Sequence, residues 1–169
     1  IDNIYSEICD NLIFGKNANT VNNHVYNNQS IITNSKSSKQ SSASNMPEKR
    51  DIDGYTVYIG KNNKQNDYLT CRLAQNSDIW FHTKDIHGSH VVLRTDSNSQ
   101  SFDKENSVPD SVLYKCASIA AYYSKARMSQ NVPVDYTLIK YVKKPNGAKP
   151  GMVIYTNNKT IYANPQNIQ

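Results

Sequence analysis

The most chemically versatile residues of the sequence lie close together between Asp78 and His90, in the segment DIWFHTKDIHGSH. If its first five residues form a β-strand, Asp78, Trp80 and His82 share one side of the strand, and the two apolar residues between them share the other. The apolar side is predicted to contact a core. The opposite side is then predicted to form a mixed polar and aromatic surface.

Three histidines within nine residues, His82, His87 and His90, first suggest a zinc site. They form no HExxH motif and no clear carboxylate or thiolate supplies a fourth ligand, so we expect neither a metal nor another cofactor. A serine hydrolase is disfavoured because the GxSxG nucleophile elbow is missing. Two interpretations stay open. His82 and His90 are hydrogen-bonded strand residues that support the fold, or the imidazole and indole rings stack on nucleic acid and hydrogen-bond to it.

A polar segment, GKNNKQND at residues 60–67, combines two lysines with four carboxamides and contains no apolar residue. Lysines contact phosphate, and carboxamides both donate and accept hydrogen bonds. The segment does not match the GxxxxGK[ST] pattern of a P-loop. An ordinary loop between two strands of a hairpin explains it equally well. If the segment binds nucleic acid, the candidate residues are Lys61, Asn62, Lys64, Asn66 and Asp67.

The net charge of +5 is confined to the C-terminal part of the chain, because residues 136–169 contain five lysines and no Asp or Glu. A basic patch of this kind suits a polyanion. Within it, KKPNGAKPG at residues 143–151 predicts a rigid double turn, whose order lowers the entropy cost of binding and whose N–H groups can hold phosphate. A solvated lysine surface is the alternative. The candidates here are Lys140, Lys143, Lys144 and Lys149.

Two further cations, Lys125 and Arg127, fall in the last turn of a predicted helix and are also candidates for phosphate contacts. Asp135 is the last acid of the chain, and we expect it to orient local backbone and lysines. No second carboxylate is spaced to form an acid/base pair with it. The sequence therefore predicts a binding module and no enzyme.

Hydrophobic patterning predicts an α+β fold with a largely antiparallel sheet of about seven strands and one main helix on one face, in the order four strands, helix, three strands. The predicted strands cover residues 55–59, 68–73, 78–82, 89–94, 136–142, 152–156 and 160–163. The helix covers residues 109–128, with a buried stripe of Val112, Cys116, Ile119, Ala120 and Tyr123. Asn157-Asn158-Lys159 predicts a tight hairpin between the last two strands.

The N-terminal third of the sequence predicts little globular structure. Residues 1–16 place apolar side chains on one helical face, as expected for the end of a longer helix. Residues 17–50 predict a flexible linker, because 19 of the 29 residues at 17–45 are Asn, Gln, Ser or Thr. The folded domain is expected at 51–169. Three widely spaced cysteines indicate a reducing compartment, and no apolar run is long enough to span a bilayer.

Five motifs occur in order within the predicted domain, and together they resemble the NFACT-R domain, the C-terminal RNA-binding module of the RqcH/NEMF family, whose bacterial members are also called fibronectin-binding protein A-like. The motifs are GYTVYIGKNNKQNDYLT, DIWFHTKDIHGSHVVLR, CASIAAYYSKAR, VPVDYTLIKYVKKPNGAKPG and VIYTNNKTIYANP. The likeness covers about residues 51–165. It implies that residues 1–16 end a preceding coiled coil.

The resemblance implies a cytoplasmic role in ribosome-associated quality control. Full-length members of the family bind the large ribosomal subunit that holds a stalled chain, recruit tRNA and promote template-free C-terminal tailing. The implied partners of this domain are tRNA and the ribosomal RNA of the large subunit. The older family name implies the alternative of a surface module that binds fibronectin, but nothing in these residues supports it.

Overall fold

The fold is given by a computed structural model, which describes residues 45–95 and 108–169. The predicted helix over residues 1–16 and the predicted linker up to residue 44 lie outside the described residues. Six strands form one antiparallel sheet in the order β1-β2-β4-β3-β5-β8, and β6 pairs with β7 in a small second sheet. The predicted α+β class, with a mostly antiparallel sheet and a helix packed on it, is confirmed.

The strands of the main sheet are β1 Glu48–Ile52, β2 Tyr55–Ile59, β3 Ile79–Thr83, β4 Val91–Leu93, β5 Val132–Leu138 and β8 Lys159–Ala163. The small sheet contains β6 Val142–Lys143 and β7 Ile154–Tyr155. The helices are α1 Asn63–Tyr68, which continues as a π-helical turn over Leu69–Leu73, α2 Asp110–Tyr122, and a 3₁₀ turn at Ile139–Tyr141. No helix in the described ranges is long and apolar enough to cross a membrane.

Both faces of the main sheet are covered. On one face α2 packs against alternate strand residues such as Ile79 and Phe81, and its small buried residues allow this close approach. On the other face the π-helical turn and the segment from the 3₁₀ turn to β7 cover Trp80 and Val92. The sheet is therefore the middle layer of three, which explains why every residue of β3 is buried.

The segment predicted as a loop at 61–67 and a strand at 68–73 is helical, so this part of the prediction is wrong. The Asn62 side chain accepts a hydrogen bond from the Gln65 N–H at 2.9 Å, and the Gln65 side chain accepts one from the Lys61 N–H at 2.9 Å. This reciprocal arrangement resembles a capping box and starts α1. The described sheet pairs β2 with β1 and β4, and not with residues 68–73.

The hairpin partner of β2 comes from a segment that the sequence places partly in the linker, since β1 begins at Glu48. A two-residue turn, Asp53-Gly54, joins β1 to β2, and both residues have positive φ values of 53° and 84°. Asp-Gly is a preferred pair for this turn because its twist matches that of the flanking strands. The local sequence therefore holds a hairpin signal immediately before the predicted strand at 55–59.

The elements that follow residue 108 differ from the prediction in where they begin and end. The helix stops at Tyr122 and not at residue 128, and the strand predicted at 136–142 begins at Val132 and gives way to the 3₁₀ turn after Leu138. The predicted hairpin between the last two strands is wrong, because β7 pairs with β6 and β8 pairs with β5. Asn157 nevertheless has the positive φ expected of a turn, 53°.

Candidate nucleic-acid interface

A cavity of about 260 Å³ lies where the start of α1, the loop after β3 and the residues that follow α2 meet. We call it the α1 groove. It opens into a shallower depression that shares four of its lining residues and adds Lys64 at the rim. The groove is lined by Lys61, Asn62, Asn63, Asn66, His87, Gly88, Ser89, Tyr123, Ser124 and Lys125. The structure thus brings together five of the predicted site residues: Lys61, Asn62, Lys64, Asn66 and Lys125.

The floor of the α1 groove is held by Asn66, which is 2% exposed. Its Oδ1 accepts a hydrogen bond from the His90 N–H at 3.0 Å, and its Nδ2 donates to the Gly88 carbonyl at 3.3 Å. Gly60 makes this position possible, because a Cβ at Gly60 would lie 2.3 Å from Asn66 Oδ1. Asn66 is therefore a structural residue of the groove, whose amide is already occupied by backbone groups.

One wall of the α1 groove joins two sequence motifs, HGSH and SKAR. Gly88 and Ser124 form an isolated antiparallel bridge, flanked by hydrogen bonds from the Ser89 N–H to the Tyr123 carbonyl at 3.1 Å and from the Lys125 N–H to the His87 carbonyl at 3.0 Å. A Cβ at Gly88 would lie 2.8 Å from Thr83 Oγ1 and 2.9 Å from Ser124 Cβ. Only glycine allows this close approach, so the wall is fixed by the backbone.

The rim of the α1 groove is cationic. Lys61 Nζ forms an ion pair with Glu48 and lies 4.9 Å from the centre of the Tyr123 ring, in cation–π contact. The pKa of Lys61 is raised and that of Glu48 is lowered, in each case chiefly by the hydrogen bond between the two groups. Glu48 does not line the groove, whose lining contains no Asp or Glu among the described residues. Lys61, Lys64 and Lys125 therefore supply the positive charge at the groove, although Glu48 cancels part of the charge of Lys61.

The double turn at residues 143–151 packs directly on α1. Lys144 Nζ lies 2.5 Å from Asp67 Oδ1, and the Gly151 N–H donates to the same carboxylate oxygen at 3.2 Å. Gly151 has a φ of 84°, and a Cβ there would lie 3.3 Å from the Asn63 backbone. These contacts place the three lysines of the turn beside the helix that begins at the groove.

Lys143 and Lys149 are exposed, and within the described ranges neither forms an ion pair. Asp67, which the sequence groups with the candidate RNA contacts, instead fixes the turn. Its carboxylate cancels much of the charge of Lys144. The double turn therefore presents its positive charge mainly through Lys143 and Lys149.

The predicted polar and aromatic surface around Trp80 is wrong. Trp80 and His90 are 0% exposed and His82 is 1% exposed, so none of the three rings can stack on a nucleotide in this conformation. His82 stacks on Trp80 with ring centres 5.6 Å apart, and His90 meets the Trp80 ring edge-on at 5.2 Å. Sequence alternation predicted the correct side of the strand, but it cannot show that a second layer covers that side.

The two buried histidines are neutral at pH 7. Burial lowers the pKa of His82 to about 4 and that of His90 well below its usual 6.5. His90 Nδ1 lies 2.7 Å from Thr70 Oγ1 of the π-helical turn. Of the two open interpretations, the structure favours the one in which these residues support the fold. Among the described residues, no group of three His, Cys, Asp or Glu side chains could hold a metal ion.

Two buried carboxylates also serve the fold. Asp78 belongs to the surface predicted from the sequence, but it is fully buried and accepts hydrogen bonds from the Gln75 and Thr95 N–H groups while pairing with Arg94 Nε at 3.0 Å. Burial raises its pKa. Asp135 was expected to orient backbone and lysines. It accepts hydrogen bonds from two hydroxyls instead, those of Tyr155 at 2.9 Å and Thr160 at 2.5 Å.

Two further predicted candidates, Arg127 and Lys140, also lie outside the α1 groove. The Arg127 guanidinium packs 3.9 Å from the centre of the Tyr122 ring, beyond the end of α2. Lys140 lies at the opposite end of β3, where its N–H bonds to the Asn76 carbonyl, and its ammonium lies over the Tyr141 ring at 5.0 Å. The predicted candidates therefore do not form one continuous site.

Six residues that line the α1 groove are not among the predicted candidates: Asn63, His87, Gly88, Ser89, Tyr123 and Ser124. Tyr123 was assigned to the buried stripe of the helix, whose other four members are indeed buried. It is half-buried and meets Lys61 because the helix ends one residue before it. Tyr123 and Ser124 directly precede the candidate Lys125 in the sequence, and this is the one sequence feature from which they could have been predicted as site residues.

Comparison with known proteins gives a consistent result. Residues 48–157 match the family described as NFACT protein RNA binding domain. Rqc2 homolog RqcH of Bacillus subtilis (strain 168) is 53% identical over 113 residues, which cover 66% of this chain and 18% of that protein. Coiled-coil domain-containing protein 25 of Mus musculus is 31% identical over 108 residues, covering 63% of this chain and 50% of that protein.

A solved structure shares the fold. It is the C-terminal part of the fibronectin/fibrinogen-binding protein of Streptococcus suis, with a TM-score of 0.62 and 42% identity, and the match covers 72% of this chain and 46% of that one. The chain spans about a fifth of the length of the RqcH relatives it matches.

Proposed function

Because the chain belongs to the family of NFACT protein RNA binding domains, we propose that it binds RNA through a surface centred on α1. This surface combines the rim of the α1 groove, with Lys61, Lys64 and Lys125, and the double turn, with Lys143 and Lys149. The observation that carries the proposal is the Asp67 contact, which joins the two groups of cations on one helix. Lysines on a rigid support contact phosphate with little loss of conformational entropy.

We propose that the whole protein acts in ribosome-associated quality control, as the names of its relatives suggest. In this proposal it binds obstructed large subunits and promotes C-terminal tailing of the stalled chain, which places it in the cytoplasm. The domain contributes contacts to tRNA or to ribosomal RNA of the large subunit.

RNA binding can be tested with the 169-residue chain and fluorescently labelled tRNA, by anisotropy at several salt concentrations. With roughly three to five phosphate contacts, log K should fall against log[salt] with a slope of about −2 to −3.5. Lys115→Ala is the control for removing a lysine outside the proposed RNA surface, because Lys115 lies in α2 and pairs with Asp53. Its affinity for tRNA should equal that of the unchanged chain. Affinity that is absent or independent of salt would contradict the proposal.

The fibronectin alternative needs a separate arm of the same experiment. Fibronectin and isolated large ribosomal subunits are immobilised separately and exposed to the chain in one buffer. We expect retention on the subunits and none on fibronectin. Retention on fibronectin alone would reverse the assignment.

A further inference from the structure

The α1 groove differs in shape from the rest of the proposed RNA surface, because it is concave and narrow. Its volume of about 260 Å³ lies just below the range of ligand pockets, about 300–1,000 Å³. It can therefore admit one phosphate group with part of the nucleotide that carries it. A base-paired helix, whose phosphates lie on a convex outer surface, can reach only the rim.

The chemistry of the lining points to a phosphate. Lys61, which precedes α1 and pairs with Glu48, and Lys125, which follows α2, both line the groove, and the lining includes no acid among the described residues. Ser89 also lines the groove and is 4% exposed. Its hydroxyl offers an additional donor to an anion bound there.

The groove is also preorganised. Its floor depends on Asn66 and its wall on the Gly88–Ser124 bridge, and both need a glycine at a position where a Cβ would collide. The walls are therefore held by backbone contacts and not by flexible side chains. A site of this kind loses little entropy on binding and discriminates by shape.

We propose that the α1 groove is a phosphate site for one unpaired nucleotide, and that the domain therefore prefers single-stranded RNA to duplex RNA. This inference rests on the proposed RNA-binding function and specifies which part of the surface selects the RNA. The phosphate lies between Lys61 and Lys125, next to Ser89, while the double turn holds neighbouring phosphates without regard to strandedness.

The test compares two labelled RNAs of equal length and at one salt concentration, a single strand and the same strand in a blunt duplex, using the 169-residue chain. We expect the single strand to bind at least about tenfold more tightly, the effect of roughly one good charged contact. Ser89→Ala should weaken single-strand binding and leave duplex binding within about twofold, and Lys125→Ala, at the rim, should weaken single-strand binding more than duplex binding. Lys143→Ala should weaken both RNAs alike.

Competition identifies the recognised group. Adenosine monophosphate should displace the single strand, and adenosine should not. Equal affinity for both RNAs, with Lys125→Ala weakening both equally, overturns the groove proposal while RNA binding stands. Failure to bind either RNA overturns the proposed function itself. Unchanged thermal unfolding of Lys125→Ala and Ser89→Ala shows that any loss of binding comes from the groove and not from the fold.

Discussion

Lys144 Nζ lies 2.5 Å from Asp67 Oδ1, and the same oxygen accepts the Gly151 N–H at 3.2 Å. Asp67 and Lys144 are 77 positions apart in sequence, so one carboxylate joins the double turn to α1. Both side chains are a little under one-third exposed. The order of the lysine-bearing turn therefore depends on a residue that carries the opposite charge.

Asp67→Ala should loosen the double turn and destabilise the domain by about 1–2 kcal/mol. The reason is the loss of a charge-assisted backbone hydrogen bond together with an exposed ion pair, which alone contributes less than about 1 kcal/mol. Lys144→Ala, the matched control, removes only the ion pair and should cost less. Urea unfolding gives both values, and hydrogen exchange at the Gly151 amide should accelerate in Asp67→Ala. Equal costs for the two variants would contradict this account.

Replacing both Lys143 and Lys149 by Ala should weaken binding to single-stranded RNA and reduce its salt dependence. Each lost phosphate contact lowers the magnitude of the slope of log K against log[salt] by about 0.7, so the double variant should lose about 1.4. Both side chains are exposed, so the midpoint of unfolding should stay unchanged. An unaltered slope would remove the double turn from the RNA surface.

The parts of the fold that could be predicted from the sequence are those whose apolar side chains repeat at the spacing of a strand or a helix. The alternation in β3 and the apolar stripe of α2 gave the correct elements because each packs on one continuous core. The segment at 61–73 could not be assigned by apolar spacing. Its helix is started by the side chains of Asn62 and Gln65, and only Leu69 and Thr70 of the π-helical turn are buried.

The candidate site was partly predictable for a similar reason. Lysine-rich segments indicated Lys61, Lys125 and the double turn, but the groove exists only because Gly88 and Ser124 meet across the fold. The burial of Trp80 depends on a layer made largely by residues 139–155. Contacts between segments so far apart leave no local pattern in the sequence.

Trp80 is the single tryptophan of the chain, so its fluorescence reports directly on the covered face of the sheet. Because it is fully buried, its emission should be blue-shifted and protected from acrylamide, and saturating RNA should leave that protection unchanged. Trp80→Ala should destabilise by about 3–5 kcal/mol, with Trp80→Phe as the milder control. Quenching of Trp80 by direct base stacking would show instead that the ring becomes exposed in the complex.

Protonation of the buried histidines should make the domain less stable at mildly acidic pH. The unfolded chain protonates His82 near pH 6.5, whereas the folded chain protonates it only near pH 4. The unfolded state therefore takes up more protons as the pH falls, and the free energy of unfolding should decrease from about pH 6.5 downwards.

Above pH 6.5 none of this stability is lost. The full loss, reached near pH 4, amounts to roughly 3 kcal/mol of the free energy of unfolding, at about 1.4 kcal/mol per pKa unit. Urea unfolding between pH 7 and pH 5, where most carboxylates remain ionised, should show about 2 kcal/mol of this loss, the part that falls above pH 5. His82→Gln should flatten the dependence even if it lowers stability overall. If the free energy of unfolding of the unchanged chain stays constant between pH 7 and pH 5, the prediction is wrong.

Gly60→Ala should be more destabilising than an alanine at another glycine of the same region. A Cβ at Gly60 would lie 2.3 Å from Asn66 Oδ1, and Asn66 is buried and bonded on both sides of its amide, so it cannot move without breaking the floor of the α1 groove. We expect a cost of about 2–3 kcal/mol from overpacking and a weakened buried hydrogen bond. Gly54→Ala is the control. It has no neighbour within 4 Å, and its φ of 84° alone should cost about 1 kcal/mol. Urea unfolding compares the two, and equal costs would show that Asn66 is free to shift.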